Sequence, residues 1–362
     1  MKVSIGSKII EGPYGGGNLF VKNLKTYLKK NKIEVIDHLK DKDIDIILLI
    51  NPLKHAETST YNDHDIKYYL NFVNRNALVV QRINECDERK GTTNTNQQII
   101  KSNEVSDFTI YVSSWLQELF ALKGLDKSKS AVIMSGSDET KFKSNKNKAR
   151  NKKFELVTHH WSPNWNKGFH IYEKIDKLLG NKDWNKKLNF TYIGNIPKNF
   201  NFQNSQVIEP LGESKTAEAL QTFDAYITAS LNEPSGNHHI EAAQCGLPIL
   251  YINSGGIPEY CKNFGIEFEE DNFEEKLKEF MKDYKKFEKN LESYPYSATK
   301  MSTEYFGVFN DLIKKRKEIV SNRKNESKLS IIFYLIKSRI EKKVFNLYSK
   351  ISIKLSKLIK NK

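Results

Sequence analysis

The sequence predicts an α/β fold in which two Rossmann-like domains face each other across a cleft, followed by an amphipathic basic helix. Short apolar strands alternate with helical stretches in both halves of the chain, and a polar stretch near the middle interrupts this rhythm. Strands that are apolar on both faces are typical of parallel sheets covered by helices on both sides. The length of 362 residues fits two domains better than one.

The first domain is predicted to span residues 1–148. Its first strand leads into a run of three glycines and then into a helix that carries Val21, Leu24 and Leu28 on one face. A further helix is predicted over residues 115–123. The strands of this domain are short apolar runs, predicted over residues 3–10, 43–50, 76–83, 107–114 and 130–136.

A polar linker at residues 143–153 precedes the second domain, which is predicted to span residues 149–311. The α/β alternation resumes there, with strands predicted over residues 153–160, 188–195, 223–230 and 247–253. Helices are predicted over residues 168–179, 217–222, 236–244 and 272–284. The third of these helices should end at Gly246, because glycine readily adopts the left-handed conformation that follows a helix.

The third segment, residues 312–362, is a basic amphipathic tail. It carries sixteen Lys and Arg against three acids, whereas the whole chain has a net charge of +14, so the body is nearly neutral. Apolar residues from Ile336 to Leu358 recur every three or four positions, which predicts one apolar helix face. We favour a helix that lies on an anionic membrane surface over a coiled coil or a disordered basic tail. A neutral body argues against a nucleic-acid partner.

Other features place the chain in the cytoplasm, on the inner face of the membrane. The N-terminal apolar run lacks the length and the cleavage site of a signal peptide, and no run of eighteen apolar residues could cross a bilayer. The three cysteines have no Cys-x-x-Cys spacing. A disulfide framework or a structural zinc site is therefore not expected.

The residues 232–248, "NEPSGNHHIEAAQCGLP", hold the densest group of candidate functional residues. Glu233 falls in a loop after a strand, and Gly236 or Asn237 caps the helix that follows. The N-terminus of that helix offers free N–H groups to a phosphate. Glu241, about one turn into the helix, can accept hydrogen bonds from a ribose diol, and Glu233 is placed for a second polyol such as a sugar.

The two adjacent histidines of this stretch do not predict a metal site. His238 and His239 point about 100° apart on a helix, so they cannot both hold one metal ion from one face. One of the two is expected to face the ligand. No Asp-x-Asp motif suggests a metal elsewhere in the chain.

Residues 223–260 closely resemble the retaining glycosyltransferases of family 4, which have the GT-B fold, and the resemblance extends more loosely to about residue 309. It implies that Glu233 contacts the transferred sugar and that Glu241 binds the nucleotide ribose. It implies that backbone amides from Gly236 through Asn237 to His238 meet the sugar and diphosphate. It further implies that no metal or other cofactor takes part, and that a last helix at about residues 297–311 crosses back to the first domain.

The resemblance implies further contacts on both sides of the cleft. Lys167 matches a lysine that neutralises the donor phosphates. An arginine usual about five residues earlier is replaced by Ser162, so His160 is expected to substitute for it. The glycine loop after the first strand, with Gly16 and Gly17, is expected near the diphosphate. Where the family often has a histidine, this chain has "VVQRINECDERKG" at residues 79–91, which makes Arg82 and Asn84 candidate acceptor or sugar contacts.

The expected activity is transfer of a sugar from a nucleotide-sugar donor to a glycan or lipid-linked acceptor, with retention at the anomeric carbon. Glu233 and Lys167 are the expected catalytic residues. A role in cell-surface polysaccharide or glycolipid synthesis fits this activity. Two alternatives stay open: a nucleotide-sugar epimerase or hydrolase on the same fold, and a non-catalytic scaffold that binds sugar nucleotides.

Overall fold

The computed structural model of the chain describes residues 1–12, 15–51, 57–145 and 152–323, together with positions 332 and 336. Its first domain is built on a six-stranded sheet in the order β2-β1-β3-β4-β5-β6, and all its strand pairs are parallel. The strands are β1 (Lys2–Ile5), β2 (Glu34–Ile36), β3 (Ile46–Leu49), β4 (Leu78–Ile83), β5 (Phe108–Tyr111) and β6 (Ser130–Val132).

The second domain has a parallel six-stranded sheet in the order β12-β11-β10-β7-β8-β9. Its strands are β7 (Phe154–His160), β8 (Leu188–Gly194), β9 (Gln206–Ile208), β10 (Ala225–Thr228), β11 (Ile249–Ile252) and β12 (Gly265–Phe268). In this sheet β7 pairs with β8 on one side and with β10 on the other. The chain therefore adds β8 and β9 in one direction from β7 and then β10 to β12 in the opposite direction. This reversal opens a crevice at the carboxyl ends of β7 and β10, which is where α/β sheets bind ligands.

Helices cover the sheets in both domains. Those of the first domain are α1 (Gly16–Lys30), α2 (Asp63–Phe72), α3 (Asp87–Lys90), α4 (Thr95–Asn103) and α5 (Ser114–Leu122). Those of the second are α6 (Phe169–Leu179), α7 (Lys182–Asn185), α8 (Glu213–Leu220), α9 (Asn237–Gln244), α10 (Ile257–Cys261), α11 (Phe273–Asp283) and α12 (Lys285–Leu291). Two more follow, α13 (Ala298–Lys314) and α14 (Arg316–Ser321).

The predicted fold class of two α/β domains facing a cleft is confirmed, with differences at the sheet edges. The sequence did not predict β2, β9 or β12, and all three are edge strands. Two of them have only three residues, with partly exposed side chains, so they lack the continuous apolar run of a central strand. Helix α8 also begins at Glu213, four residues before its predicted start.

Helix α13 returns to the first domain and completes its core. Its residues Met301, Tyr305 and Phe309 are buried with the apolar residues of β1, β3 and β4. The Tyr305 ring lies 5.1 Å from the Phe20 ring of α1. The first domain therefore depends on a helix that follows the whole second domain in the chain.

The predicted boundary at residue 148 and most of the predicted basic tail lie outside the described residues. The described start of the tail is tied to the first domain: Arg316 of α14 pairs with Asp45, and Arg323, two residues after α14, pairs with Asp107. No helix within the described part of the chain is long and apolar enough to cross a membrane.

Candidate active site

A cavity of about 410 Å³ lies in the cleft between the two domains. Every site residue predicted from the sequence lines it: Gly16, Gly17, Arg82, Asn84, His160, Lys167, Glu233, Gly236, Asn237, His238 and Glu241. The first four come from the first domain and the rest from the second. The structure thus brings the predicted residues together, and their chemical roles stay predictions.

The loop before α9 is shaped by glycine at two positions. Gly236 has φ +75°, and a Cβ atom there would lie 2.7 Å from ring carbons of His238 and His239. Gly255, with φ +64°, lies so close to the backbone of Glu233 that a Cβ would approach its nitrogen to 2.6 Å. The adjacent Gly256 N–H donates to the Glu233 carbonyl at 2.9 Å. The "SGG" run after β11 therefore holds the loop that carries Glu233.

Helix α9 presents its N-terminus to the cavity. It has no side-chain cap and no acid in its first turn. The first N–H groups of a helix have no partner within it and carry partial positive charge. Its far end is closed by Gly246, with φ +81°, as the sequence predicts. The open end of this helix is thus suited to an anionic group in the cavity.

Glu233 is a buried carboxylate, 5% exposed, held between two cations. The Nζ of Lys167 donates to one of its oxygens, and Arg89 Nε donates to the other at 3.1 Å. Burial alone would raise the pKa of Glu233, but Arg89 and Lys167 together hold that pKa well below its usual range. Burial lowers the pKa of Lys167. Glu233 is therefore ionised at neutral pH.

Arg89 and its neighbour Lys90 were missed in the sequence. They lie on α3 of the first domain and reach the cavity from the side opposite to Glu233. Arg89 also donates to Glu85 at 2.8 Å, and Lys90 lies 3.2 Å from the same carboxylate. The resulting cluster holds three cations and two carboxylates, which leaves one positive charge for an incoming anion.

His160 does not supply the second positive charge that was expected of it. Its ring is buried, and its Nε2 is hydrogen-bonded to the Tyr172 hydroxyl at 2.8 Å. Burial, with Lys167 nearby, holds the pKa of His160 well below its usual value, so the ring is neutral at neutral pH. The cation that accompanies Lys167 in this structure is Arg89, from the other domain.

Glu241 faces the cavity from the second turn of α9, where His159 meets it. The Nε2 of His159 lies 2.9 Å from Glu241 Oε2. His159, the last residue but one of β7, also lines the cavity, although no role was predicted for it from the sequence. Within the described residues this pairing leaves the other Glu241 oxygen, Oε1, facing no hydrogen-bond donor, and it fixes the direction of the carboxylate.

Of the two adjacent histidines, His238 is the one that lines the cavity. Its Nε2 lies 2.9 Å from the Thr228 hydroxyl, and its ring is 4.5 Å from that of His160. His239 is fully buried against Tyr260, with ring centroids 5.5 Å apart. Burial lowers the pKa of His238 well below its usual value and that of His239 to about 3. Both rings are therefore neutral at neutral pH.

Several hydrogen bonds join the two domains around the cavity. Glu259 accepts from the backbone N–H groups of Ser114 and Trp115 at the start of α5, both at 2.8 Å. Asn166 Nδ2 donates to the Arg89 carbonyl at 3.2 Å. At Gly16 a Cβ would lie 3.0 Å from the side chain of Asn237, so the two domains nearly touch there. These contacts hold the two domains together beside the cavity.

No group of three His, Cys, Asp or Glu side chains within the described ranges is arranged to hold a metal ion. The cysteines Cys86, Cys245 and Cys261 are all buried and free. The polar side chains around the cavity are instead organised as ion pairs and hydrogen-bonded histidines.

Comparison with known proteins finds a family match within the second domain. Residues 171–297 match the family model of the glycosyl transferases group 1. No sequence among the curated proteins matches the chain.

Solved structures with the same fold include HepE from Anabaena in complex with UDP and glucose, and a glycosyltransferase from Rickettsia africae. Each is 14% identical to this chain, with a TM-score of 0.61. Both matches cover 86% of this chain, and they cover 100% of the HepE chain and 98% of the Rickettsia chain. The catalytic domain of starch synthase IV from Arabidopsis thaliana, bound to ADP and acarbose, is also 14% identical. It has a TM-score of 0.55, with 83% of this chain and 79% of that chain covered. At these identities the likeness shows the fold, which is of the GT-B type.

Proposed function

We propose that the protein is a glycosyltransferase that moves a sugar from a nucleotide-sugar donor to a glycan or lipid-linked acceptor, with retention at the anomeric carbon. The observation that carries this proposal is the buried, ionised Glu233 between Lys167 and Arg89, beside the open N-terminus of α9. A donor that carries a sugar and a diphosphate needs both a carboxylate and positively charged groups in its site. The carboxylate accepts from sugar hydroxyls, and the cations and helix end stabilise the departing diphosphate.

The donor would lie along the second-domain wall of the cavity. Glu241 accepts from the ribose, Lys167 and the α9 amides contact the diphosphate, and Glu233 holds the sugar. The HepE complex with UDP and glucose and the starch synthase complex with ADP support a nucleoside diphosphate as the ligand of this fold. We propose that no resident metal is needed, because Lys167, Arg89 and the α9 N-terminus already supply positive charge where the diphosphate would lie.

The test of this proposal is a panel of labelled UDP-, ADP-, GDP- and TDP-sugars, offered with membrane lipid and glycan acceptors, with and without a chelator. Transfer of label to a lipid or glycan supports the proposal. An isomerised or hydrolysed donor would instead show the epimerase or hydrolase, and binding without turnover would show a scaffold. Loss of transfer in the chelator would contradict metal independence.

Replacement Glu241→Ala should weaken binding of the nucleoside diphosphate itself by about 10- to 100-fold, because the carboxylate makes charge-assisted hydrogen bonds to the ribose. Calorimetric titration of UDP and ADP measures this. The matched control is His159→Gln, which removes the present partner of Glu241 but keeps the carboxylate. Equal affinity of Glu241→Ala and the unaltered chain would show that Glu241 does not bind the ribose.

We also propose that the enzyme works in the cytoplasm and docks on the inner face of the membrane through its basic tail. Its proposed role is in cell-surface polysaccharide or glycolipid synthesis. Residues 327–362 contain ten Lys and Arg and one acid. The described positions Ile332 and Ile336 are exposed apolar side chains. Exposed apolar groups with surrounding cations are the two features that an anionic lipid surface binds.

Deletion of residues 327–362 should release the protein from vesicles that contain phosphatidylserine. Each basic residue near such a surface contributes about 1 kcal/mol, so the loss should be nearly complete. Co-sedimentation measures it, with phosphatidylcholine vesicles and high salt as controls. Unchanged co-sedimentation of the shortened chain would contradict docking through the tail, and donor binding by the same sample would show that the body is folded.

A further inference from the structure

Arg82 is a buried cation at the cleft with no counter-ion among the described residues. It lies in β4, one residue before the strand's carboxyl end, is 4% exposed and lines the cavity. Its guanidinium carbon lies 4.0 Å from the centroid of the Phe20 ring on α1. An arginine does not lose its proton in a protein, so Arg82 places a permanent positive charge on the first-domain wall.

Within the described residues, the side chain that hydrogen-bonds the guanidinium group is the phenol of Tyr305 and not a carboxylate. Its Nε and Nη1 atoms are buried and unpartnered. Burial lowers the pKa of Arg82, and the groups that favour its charged form are the phenols of Tyr305 and Tyr260 rather than a carboxylate. Arg89, Arg316 and Arg323, by contrast, all pair with acids. A buried charge without a partner is costly, so its presence at a cavity indicates a ligand.

No carboxylate that lines the cavity is available to Arg82. The four that line it are each engaged elsewhere: Glu85 with Arg89 and Lys90, Glu213 with Lys22 and Lys141, Glu233 with Lys167 and Arg89, and Glu241 with His159. The counter-ion of Arg82 must therefore come from outside the described chain.

A second feature on the same wall also favours an anion. Helix α1, fifteen residues long, begins at Gly16 with no side-chain cap and no acid in its first turn. Gly16 and Gly17 line the cavity together with Arg82. Free N–H groups at a helix start and a nearby guanidinium group are the usual components of a phosphate or carboxylate site.

We propose that Arg82, with the N-terminus of α1, binds an anionic group of the acceptor, either a phosphate or a carboxylate. This inference rests on the proposed transferase function. The donor diphosphate has Lys167 and the N-terminus of α9 on the opposite, second-domain wall. We therefore assign Gly16 and Gly17, which the sequence predicts near the diphosphate, to the acceptor anion instead. An anion on the first-domain wall would hold the acceptor and direct its reacting hydroxyl toward the donor sugar.

Thermal unfolding of the full chain, at constant ionic strength, tests the site. The protein is first saturated with UDP or ADP, and inorganic phosphate, glucuronate or uncharged glucose is then added. We expect phosphate or glucuronate to raise the melting temperature beyond the effect of the nucleotide, and glucose to have no effect. A response to phosphate alone indicates a phosphorylated acceptor, and a response to glucuronate alone indicates an acidic sugar.

The variant Arg82→Met should lose the response to the added anion and keep the response to the nucleotide. Loss of both responses would assign the anion to the donor diphosphate, and retention of both would show that Arg82 binds no anion; either result overturns the proposal. If neither UDP nor ADP acts on the unaltered chain but phosphate acts through Arg82, the anion site stands and the proposed donor site fails.

Stability separates a ligand-binding Arg82 from a structural one. Arg82→Met removes an unpaired buried charge, so its melting temperature without ligands should equal or exceed that of the unaltered chain. The control Arg323→Met breaks the pair with Asp107 and should lower it. A decrease in Arg82→Met as large as in the control would overturn the proposal. Arg82→Lys, which keeps the charge but loses the planar fork, should retain a weaker response to phosphate.

Discussion

Replacement Glu233→Gln should reduce the turnover number by about 10²- to 10³-fold, because removal of one preorganised group from a transferase site costs about that factor. Glutamine keeps the size of the side chain but removes the charge that holds Lys167 and Arg89. The two cations then lie free beside the α9 N-terminus. We therefore expect the nucleoside diphosphate to bind as tightly as before or more tightly, while transfer nearly stops.

The matched control for this variant is Glu85→Gln. Glu85 belongs to the same ion cluster through Arg89 and Lys90, so its replacement changes the net charge of the cavity equally. Glu85 does not lie between Lys167 and Arg89, where the sugar is proposed to bind. Single-turnover transfer and calorimetric binding are measured on both variants. Together they separate the effect of the lost charge from the effect of the lost contact with the sugar. Equal loss of turnover in the two variants would show that Glu233 acts only through the charge of the cluster.

The sequence predicts the local part of this site well because the geometry is encoded within one short stretch. A strand, a turn at Gly236, a helix start and a stop at Gly246 follow each other between residues 225 and 246, and the structure has each of them. Glu233 and Glu241 are placed by this local code. Parallel sheets bind ligands at the carboxyl ends of their strands. This rule, together with the local sequence, explains why the predicted residues line the cavity.

The partners of the two acids could not be predicted in the same way, since they are distant in the chain. Arg89 lies 144 residues before Glu233, and His159 lies 82 residues before Glu241. The Arg89 contact depends on how the two domains are oriented, and the His159 contact depends on how α9 packs beside β7; no periodicity in the sequence expresses either arrangement. That His160 is neutral in this structure was not predictable for a related reason: its charge depends on burial by Tyr172 and His238, which the sequence does not show.

Acidification should destabilise the protein sharply, because three histidines of the second domain are buried as neutral rings. Burial lowers the pKa of His160 and His238 well below the usual value and that of His239 to about 3. The unfolded chain binds a proton on each below about pH 6.5, and the folded chain does not. Stability is therefore complete above that pH and is lost as the pH falls. Between pH 7.5 and 5.5 we expect the free energy of unfolding to fall by about 4 kcal/mol.

Urea unfolding followed by tryptophan fluorescence measures this loss mainly in the second domain, since three of the four tryptophans, Trp161, Trp165 and Trp184, belong to it. His239→Met provides the decisive comparison, because both ring nitrogens of His239 are buried without a hydrogen-bond partner among the described residues. The variant gives up no side-chain hydrogen bond to a described residue, so it should be about as stable at pH 7.5 and should lose about 3 kcal/mol instead of about 4 by pH 5.5. An unchanged loss in His239→Met would mean that protonation of this ring does not oppose folding, and the histidine cluster would not be the origin of the acid sensitivity.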